Sequence, residues 1–174
     1  MNFIVDLPKL GATAAPDLIK SKWNAYLRYI RSLEGRLPAA AYAYASAELH
    51  SDYEHEKSPH DSWIERVVIE EPFSGLRREV RAINIAIDLL AASHAARIRF
   101  TYPGVQSYEL GAPLEFETPP ASVGHGDWLA DEVQLSERGY VMHQIRFSRG
   151  ALWRIEALDL RYEWVPVVQA HGSG

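Results

Sequence analysis

The ten residues from Val80 to Leu89, VRAINIAIDL, decide the expected fold of this chain. Every second side chain in this stretch is large and apolar, and these side chains share one face of an extended strand. They are Ile83, Ile85, Ile87 and Leu89. The polar residues Asn84 and Asp88 fall on the opposite face. We therefore predict a β-strand over Val80–Leu89 with one buried face.

The same period of two recurs through most of the chain after residue 50, so we expect a sheet there. The predicted strands cover residues 63–71, 98–102, 105–110, 129–135, 141–147 and 152–164. The last of these has its apolar residues in two registers, which change phase near Ala157 and Leu158. One extra residue would restore the phase, so the pattern predicts a β-bulge at that point.

The front of the chain has helical periodicity instead. Apolar residues at steps of three and four predict an amphipathic helix over residues 16–33, and a second helix is expected over residues 38–49. The predicted fold is α+β, with two N-terminal helices packed on a mostly antiparallel β-meander of about six or seven strands. We expect a single domain over residues 1–174, with a helical front at 16–49, the sheet at 62–165 and a frayed tail at 166–174. Residues 111–126 have the composition of a long loop.

Composition excludes several classes of protein. The chain has 174 residues, no cysteine and a net charge of −5, so thiolate metal sites and disulfides are excluded and nucleic acid is a poor partner. We see no secretory leader and no apolar run long enough for a bilayer, and we expect a cytoplasmic protein without membrane contact. The acidity fits either a surface that binds a basic protein or ordinary solubility.

The segment from residue 50 to residue 61 contains the candidate metal ligands His50, His55 and His60. Histidine and carboxylate are the ligand types that zinc or manganese would need. On a helix, however, residues five apart point in different directions, and the paired histidine spacing of zinc proteases is missing. A solvated connection from the helices to the sheet is the favoured interpretation, and we expect no cofactor.

His60 and Asp61 stand immediately before the first predicted strand, and they are the candidate catalytic pair. A histidine held by a carboxylate can transfer protons, so a small metal-dependent hydrolase using this pair, with help from His50, His55 or His125, is the enzymatic alternative. The alternative role is structural, with the pair fixing the turn that leads into the strand. His143 falls on the apolar face of its strand and is expected to be a hydrogen-bonded core histidine.

Three short motifs carry a resemblance to known proteins. They are Leu37-Pro38 between the helices, His60-Asp61 before the first strand, and the stretch Arg99 to Val105. Over residues 20–164 the chain resembles a loose group of small uncharacterised bacterial domains, some of which are classed as immunity proteins of polymorphic toxin systems. Members usually carry leucine or phenylalanine where this chain has Pro59. The resemblance implies a non-catalytic binding protein that neutralises a toxin.

Two kinds of protein partner are therefore expected. The first is a toxin bound by the acidic surface, as the resemblance implies. The second is another copy of this chain, because an exposed strand edge can pair with its equivalent in a homodimer.

Overall fold

The computed structural model describes residues 2–7, 16–113 and 124–167, and within them the chain forms three helices and ten strands. The helices are α1 (Pro16–Ser32), α2 (Ala39–Ala45) and α3 (Glu48–Ser51). The strands are β1 (Trp63–Glu70), β2 (Phe73–Ser74), β3 (Val80–Arg81), β4 (Asn84–Leu90), β5 (Ala96–Tyr102), β6 (Val105–Leu110), β7 (Trp128–Leu135), β8 (Val141–Phe147), β9 (Leu152–Ala157) and β10 (Arg161–Pro166). The α+β class with antiparallel pairing is confirmed, while the expected six or seven strands are too few.

The strands form two four-stranded sheets instead of one meander. One sheet has the order β1-β4-β5-β10, the other has the order β6-β9-β8-β7, and β2 and β3 make a separate hairpin. The chain crosses from the first sheet to the second at Pro103–Gly104 and returns between β9 and β10. The apolar inner faces of both sheets contribute to one core, in which the Phe100 and Trp128 rings stack 5.1 Å apart.

The predicted last strand over residues 152–164 is wrong, and so is its β-bulge. Ala157 pairs with Val141 in one sheet, whereas Arg161 pairs with Thr101 in the other. The three residues between them turn the chain from sheet to sheet, with Leu160 buried. A break between two strands shifts the phase of alternation just as an inserted residue does, so the pattern could not separate the two.

Two other predicted elements are each divided in the structure. Residues 80–89 span β3 and β4, although the alternation itself is confirmed because Ile85, Ile87 and Leu89 are fully buried. The helix expected over residues 38–49 is divided into α2 and α3, because Ala47 has an extended backbone. The break turns His50 of α3 toward the core, where it is buried.

The helices pack beside the edge strands of the two sheets. The Tyr26 hydroxyl of α1 accepts a hydrogen bond from the Val133 N–H of β7 at 2.9 Å, and the Tyr29 hydroxyl accepts one from Leu135 N–H at 3.0 Å. Tyr44 of α2 stacks on Tyr162 of β10, with ring centroids 5.3 Å apart. The helices thus cover the edge strands β7 and β10. Within the described ranges, none of them combines the length and apolarity that a membrane crossing needs.

Parts of two predictions lie outside the described residues. Residues 114–123 of the expected loop at 111–126 are not among them, and neither are residues 168–174 of the expected tail. Pro166 is the last residue of β10, and the Val167 N–H donates to the Ala95 carbonyl at 2.9 Å. Residues 166 and 167 of the expected tail are therefore held in place by β10 and by this hydrogen bond.

Candidate functional site

The three histidines of the segment from residue 50 to residue 61 do not converge. His50 points into the core, whereas the His55 Nδ1 accepts the Lys57 N–H at 3.1 Å and the His60 ring stacks on Tyr53 with centroids 4.2 Å apart. Among the residues that the structure describes, no group of three or more histidine, aspartate or glutamate side chains is placed to hold a metal ion. The structure brings only His50 into a polar cluster.

His60 and Asp61 lie at the turn before β1. The His60 Nδ1 is 3.2 Å from the Asp61 carboxylate, and Asp61 has a left-handed backbone with a φ of 59°. The Asp61 N–H donates to the Trp128 carbonyl at 3.0 Å, and the Trp128 N–H donates to the Ser62 carbonyl at 2.8 Å. These backbone contacts join the turn to the start of β7. His125 lies half-buried and edge-on to Trp153, and burial lowers its pKa.

A buried polar network surrounds Asp131 of β7, and sequence reasoning missed it. The Oδ1 atom accepts the indole N–H of Trp128 at 2.8 Å, and Oδ2 accepts the Tyr44 hydroxyl at 2.8 Å. The same Oδ2 accepts from the Nε2 of His50 at 3.0 Å and from the Nε2 of His143 at 2.8 Å. Four donors therefore occupy a single carboxylate, which matches its number of acceptor sites.

The geometry around His50 requires a charged ring. Its Nδ1 faces the Ala45 carbonyl at 3.3 Å, and its Nε2 faces both the carbonyl and the carboxylate of Asp131. Since all of these are acceptors, both ring nitrogens must carry protons. Burial by itself lowers the pKa of His50, but the Asp131 charge and the hydrogen bonds outweigh it and raise the pKa above its ordinary value.

His143 and Asp131 complete the assignment of protons. The His143 Nδ1 is in hydrogen-bond contact with the Tyr102 hydroxyl at 2.7 Å, while Nε2–H donates to Asp131. Burial raises the pKa of Asp131, but the His50 charge and the hydrogen bonds from His143 and His50 hold that pKa well below its ordinary value. The Asp131 carboxylate and the His50 ring thus form a buried ion pair. His143 is confirmed as a hydrogen-bonded core histidine.

The network joins both sheets to the helices and is sealed from solvent. Its members come from α2, α3, β5, β7 and β8, and all of them are buried: Tyr44, His50, Tyr102, Trp128, Asp131 and His143. Because these buried groups bond to one another across the sheets and helices, the network fixes the packing of the elements. The available signal was a polar residue on the apolar register of two consecutive strands, Asp131 in β7 and His143 in β8.

A second buried carboxylate, Glu132, points to the other face of the same sheet. Its Oε2 accepts the backbone N–H groups of Phe3, Ile4 and Val5 at 2.9, 2.7 and 3.1 Å. Its Oε1 accepts the side-chain amide of Gln134. Three consecutive amides around one carboxylate make an anion-binding concavity of the backbone. Glu132 therefore anchors residues 2–7 across the sheet.

A depression of about 540 Å³ lies on the outer face of the sheet β1-β4-β5-β10. Ala86 and Thr101 contribute small side chains to it, and Arg66 and Arg99 are among its charged residues. Arg99 binds the Asp88 carboxylate through two hydrogen bonds of 2.6 and 3.2 Å. The lining contains no histidine, and its aspartate is held by arginine. The depression suits a polar surface contact better than acid–base chemistry.

The connection over residues 48–61 is the acidic surface of the molecule. It carries five carboxylates against one basic residue, Lys57, and all five are exposed: Glu48, Asp52, Glu54, Glu56 and Asp61. Tyr53, also exposed, packs edge-on to Trp23 of α1 with ring centroids 5.7 Å apart. The acidic connection is therefore held against the helices while its carboxylates face solvent. Comparison of the chain with protein-family models, curated proteins and solved structures found no match to any of them.

Proposed function

We propose that this chain is a non-catalytic protein-binding domain of the immunity type, and that its acidic connection binds a basic toxin. The observation that carries the proposal is the separation of the charged groups. The ion pair of Asp131 and His50 is sealed in the core, whereas the five carboxylates of residues 48–61 are exposed together. A concentrated patch of one sign steers an oppositely charged protein to it and selects against acidic partners.

Aromatic contacts add to the fit of this surface. Tyr53 stacks on His60, and tyrosine is enriched in the parts of interfaces that contribute most to binding. The ring is anchored on one side by Trp23 and on the other by His60, so binding would lose little side-chain entropy. A basic partner would thus meet a preorganised aromatic surface surrounded by carboxylates.

Co-purification with the product of the adjacent gene, together with protection of cells from that product, tests the proposal. The informative variant combines Glu54→Lys with Glu56→Lys, because neither side chain has a hydrogen bond or ion pair described within the fold. The matched control combines Glu34→Lys with Glu137→Lys, which are exposed and change the net charge equally. We expect the first pair to weaken binding roughly tenfold or more and to reduce its salt dependence, and the control to change it little. Equal effects of the two pairs, or no protection by the unmodified chain, would refute the proposal.

The enzymatic alternative places a divalent metal near His60 and Asp61. Its test is the metal content of protein purified without chelator, compared with that of the His60→Ala variant. A stoichiometric ion that the variant loses would favour the hydrolase over the binding domain. The stacking of the His60 ring on Tyr53 and the turn contacts of His60 give no preference for this alternative.

A further inference from the structure

Residues 69–82 form a projecting arm that is not part of the proposed toxin-binding surface. Every residue from Ile69 to Ala82 is exposed. The arm contains the hairpin β2–β3, in which Phe73 pairs with Arg81 and Ser74 pairs with Val80. It extends the ends of β1 and β4 beyond the body of the sheet. The hairpin therefore has solvent on both of its faces.

The arm is unusually apolar for a segment in water. Its exposed large hydrophobic side chains are Ile69, Phe73, Leu76 and Val80, and Leu76 at the tip is exposed as fully as in an extended chain. Phe73 pairs with Arg81 and Ser74 pairs with Val80, so Phe73 and Val80 lie on opposite faces of the hairpin, and each face carries an exposed apolar side chain. Exposed apolar side chains concentrated in one projecting segment mark an interaction site. The arm is also preshaped, because the Arg78 guanidinium lies 4.7 Å from the Phe73 ring centre and the Glu79 carboxylate accepts the Arg77 N–H at 2.8 Å.

The charges of the arm favour a second copy of the same arm as its partner. The tip carries Arg77 and Arg78 against Glu79, and the base carries Glu70 and Glu71 against Arg81, so the tip is net positive and the base is net negative. When two arms lie side by side around a two-fold axis, the tip of each reaches the base of the other. Opposite charges then meet at both tip-to-base contacts. In a parallel arrangement the two tips would meet, as would the two bases, and like charges would face each other.

The whole arm is electrically balanced, unlike the chain as a whole. Residues 69–82 contain three glutamates and three arginines, whereas the chain carries a net charge of −5. Two chains that meet through their arms therefore bring no excess of negative charge into the contact. The acidic connection would instead repel its own copy, which separates this inference from the proposed function.

A shallow depression at the base of the arm can receive the apolar tip of the second copy. It has a volume of about 470 Å³, and its apolar lining includes Ala82, Ile83, Val105 and Leu158. Leu158 is 56% exposed, so the depression leaves apolar surface uncovered in one chain. An inserted leucine would cover Leu158 and would itself lose its exposure to water.

The adjoining strand edge brings the contact to the size of a stable interface. Apart from a single bridge between Trp63 and Asp127, β1 has no strand on its outer side within the described ranges. Together β1 and the arm span residues 63–82, and specific interfaces take about 20–30 residues from each partner. We infer that the chain forms a two-fold symmetric dimer in which the two arms lie side by side and antiparallel. Leu76 of each copy is seated against Ile83 and Leu158 of the other.

The mass of the full chain in solution tests this inference, with light scattering measured across a dilution series. The unmodified chain should be a dimer, and Leu76→Asp should raise the dimer dissociation constant roughly tenfold or more. Leu18→Asp is the matched control, because Leu18 is an exposed leucine on α1, and it should leave the dimer unchanged. Circular dichroism checks that each variant is folded. A monomeric unmodified chain would overturn the inference and assign the arm to a different protein.

Charge exchange between copies tests the arrangement itself. One variant combines Glu70→Arg with Glu71→Arg, and the other combines Arg77→Glu with Arg78→Glu. Each variant alone places like charges at both contacts and should be monomeric, whereas an equimolar mixture should give a dimer with one copy of each, detected by native mass spectrometry. Homodimers of either variant, or a mixture that stays monomeric, would overturn the arrangement. Toxin binding is read separately, so its failure does not affect this result.

Discussion

Replacing Asp131 with asparagine is the sharpest test of the buried network. The change keeps the shape of the side chain, but it removes the charge and exchanges one acceptor oxygen for an N–H donor. The Oδ2 position receives Tyr44, His50 and His143, and the Oδ1 position receives Trp128. Whichever way the new amide is oriented, its NH₂ group meets at least one donor and leaves it without an acceptor.

The expected loss follows from the buried ion pair. Removing one partner of such a pair costs about 3–5 kcal/mol, because the remaining charge stays buried without compensation. That is a large share of the roughly 5–15 kcal/mol by which domains are stable. For a chain of this length it corresponds to a fall of roughly 6–20 °C in the unfolding temperature.

The same pair predicts how stability depends on pH. The folded-state pKa of His50 is raised, so its contribution is complete below the unfolded value of about 6.5 and is lost as the pH rises through the folded value. The pKa of Asp131 is lowered, so its contribution is present above the unfolded value of about 3.9 and is lost as the pH falls. Together the two groups contribute most between about pH 4 and 6.5.

Urea unfolding at about pH 5.5 and about pH 8 measures both effects. The control is Glu65→Gln, which removes an exposed carboxylate whose partner Arg97 is also exposed, and which should cost far less than Asp131→Asn. We expect the unmodified protein to lose stability from the lower to the higher pH and Asp131→Asn to show a smaller change. Equal losses for the two variants, or greater stability of the unmodified protein at the higher pH, would refute the assignment of charges.

Three further predictions concern single side chains. Glu132→Ala should raise amide hydrogen exchange in residues 2–7 to nearly unfolded rates, because three backbone N–H groups lose their acceptor, and continued protection would contradict the anchor. Tyr26→Phe should lower the free energy of unfolding by about 1–3 kcal/mol, because the buried N–H of Val133 loses its acceptor; an unchanged urea midpoint would count against it. Ser62→Ala should raise the free energy of unfolding by about 1 kcal/mol, since its buried hydroxyl has no hydrogen-bond partner among the residues that the structure describes, and thermal unfolding that shows a loss would disprove this.

Alternation of side chains was sufficient to predict which face is buried in β4 and β5, whereas β7 and β8 are buried on both faces. Ile85, Ile87 and Leu89 in β4, and Ile98 and Phe100 in β5, are all fully buried as their register requires. This succeeds because alternation depends only on the local geometry of an extended chain. Which sheet a strand joins depends on residues far away in the chain. Alternation therefore could not show the two points at which the chain crosses from one sheet to the other.

The candidate site shows the same division between local and distant information. His50 was named as a possible metal ligand, but the sequence around it contains no sign of Asp131, its partner 81 residues away. His50 points inward because the helix is broken between α2 and α3. The break lies at Ala47, a residue type that does not by itself indicate the end of a helix. The exposed arm could have been suspected from Pro72 and Gly75, which interrupt the strand pattern before Val80.

The anchoring of Phe3, Ile4 and Val5 on Glu132 has a consequence for how the chain is made. The carboxylate is synthesised 127 residues after Val5, which at ribosomal speeds of 5–20 residues per second is a delay of roughly 6–25 s. Tyr44 and His50 are likewise synthesised before their hydrogen-bond partner Asp131. Until β7 is synthesised, α1 and α2 expose their aromatic faces. The fold can therefore be completed only after β7 has left the ribosome. Chaperone binding during translation would concentrate on α1 and α2.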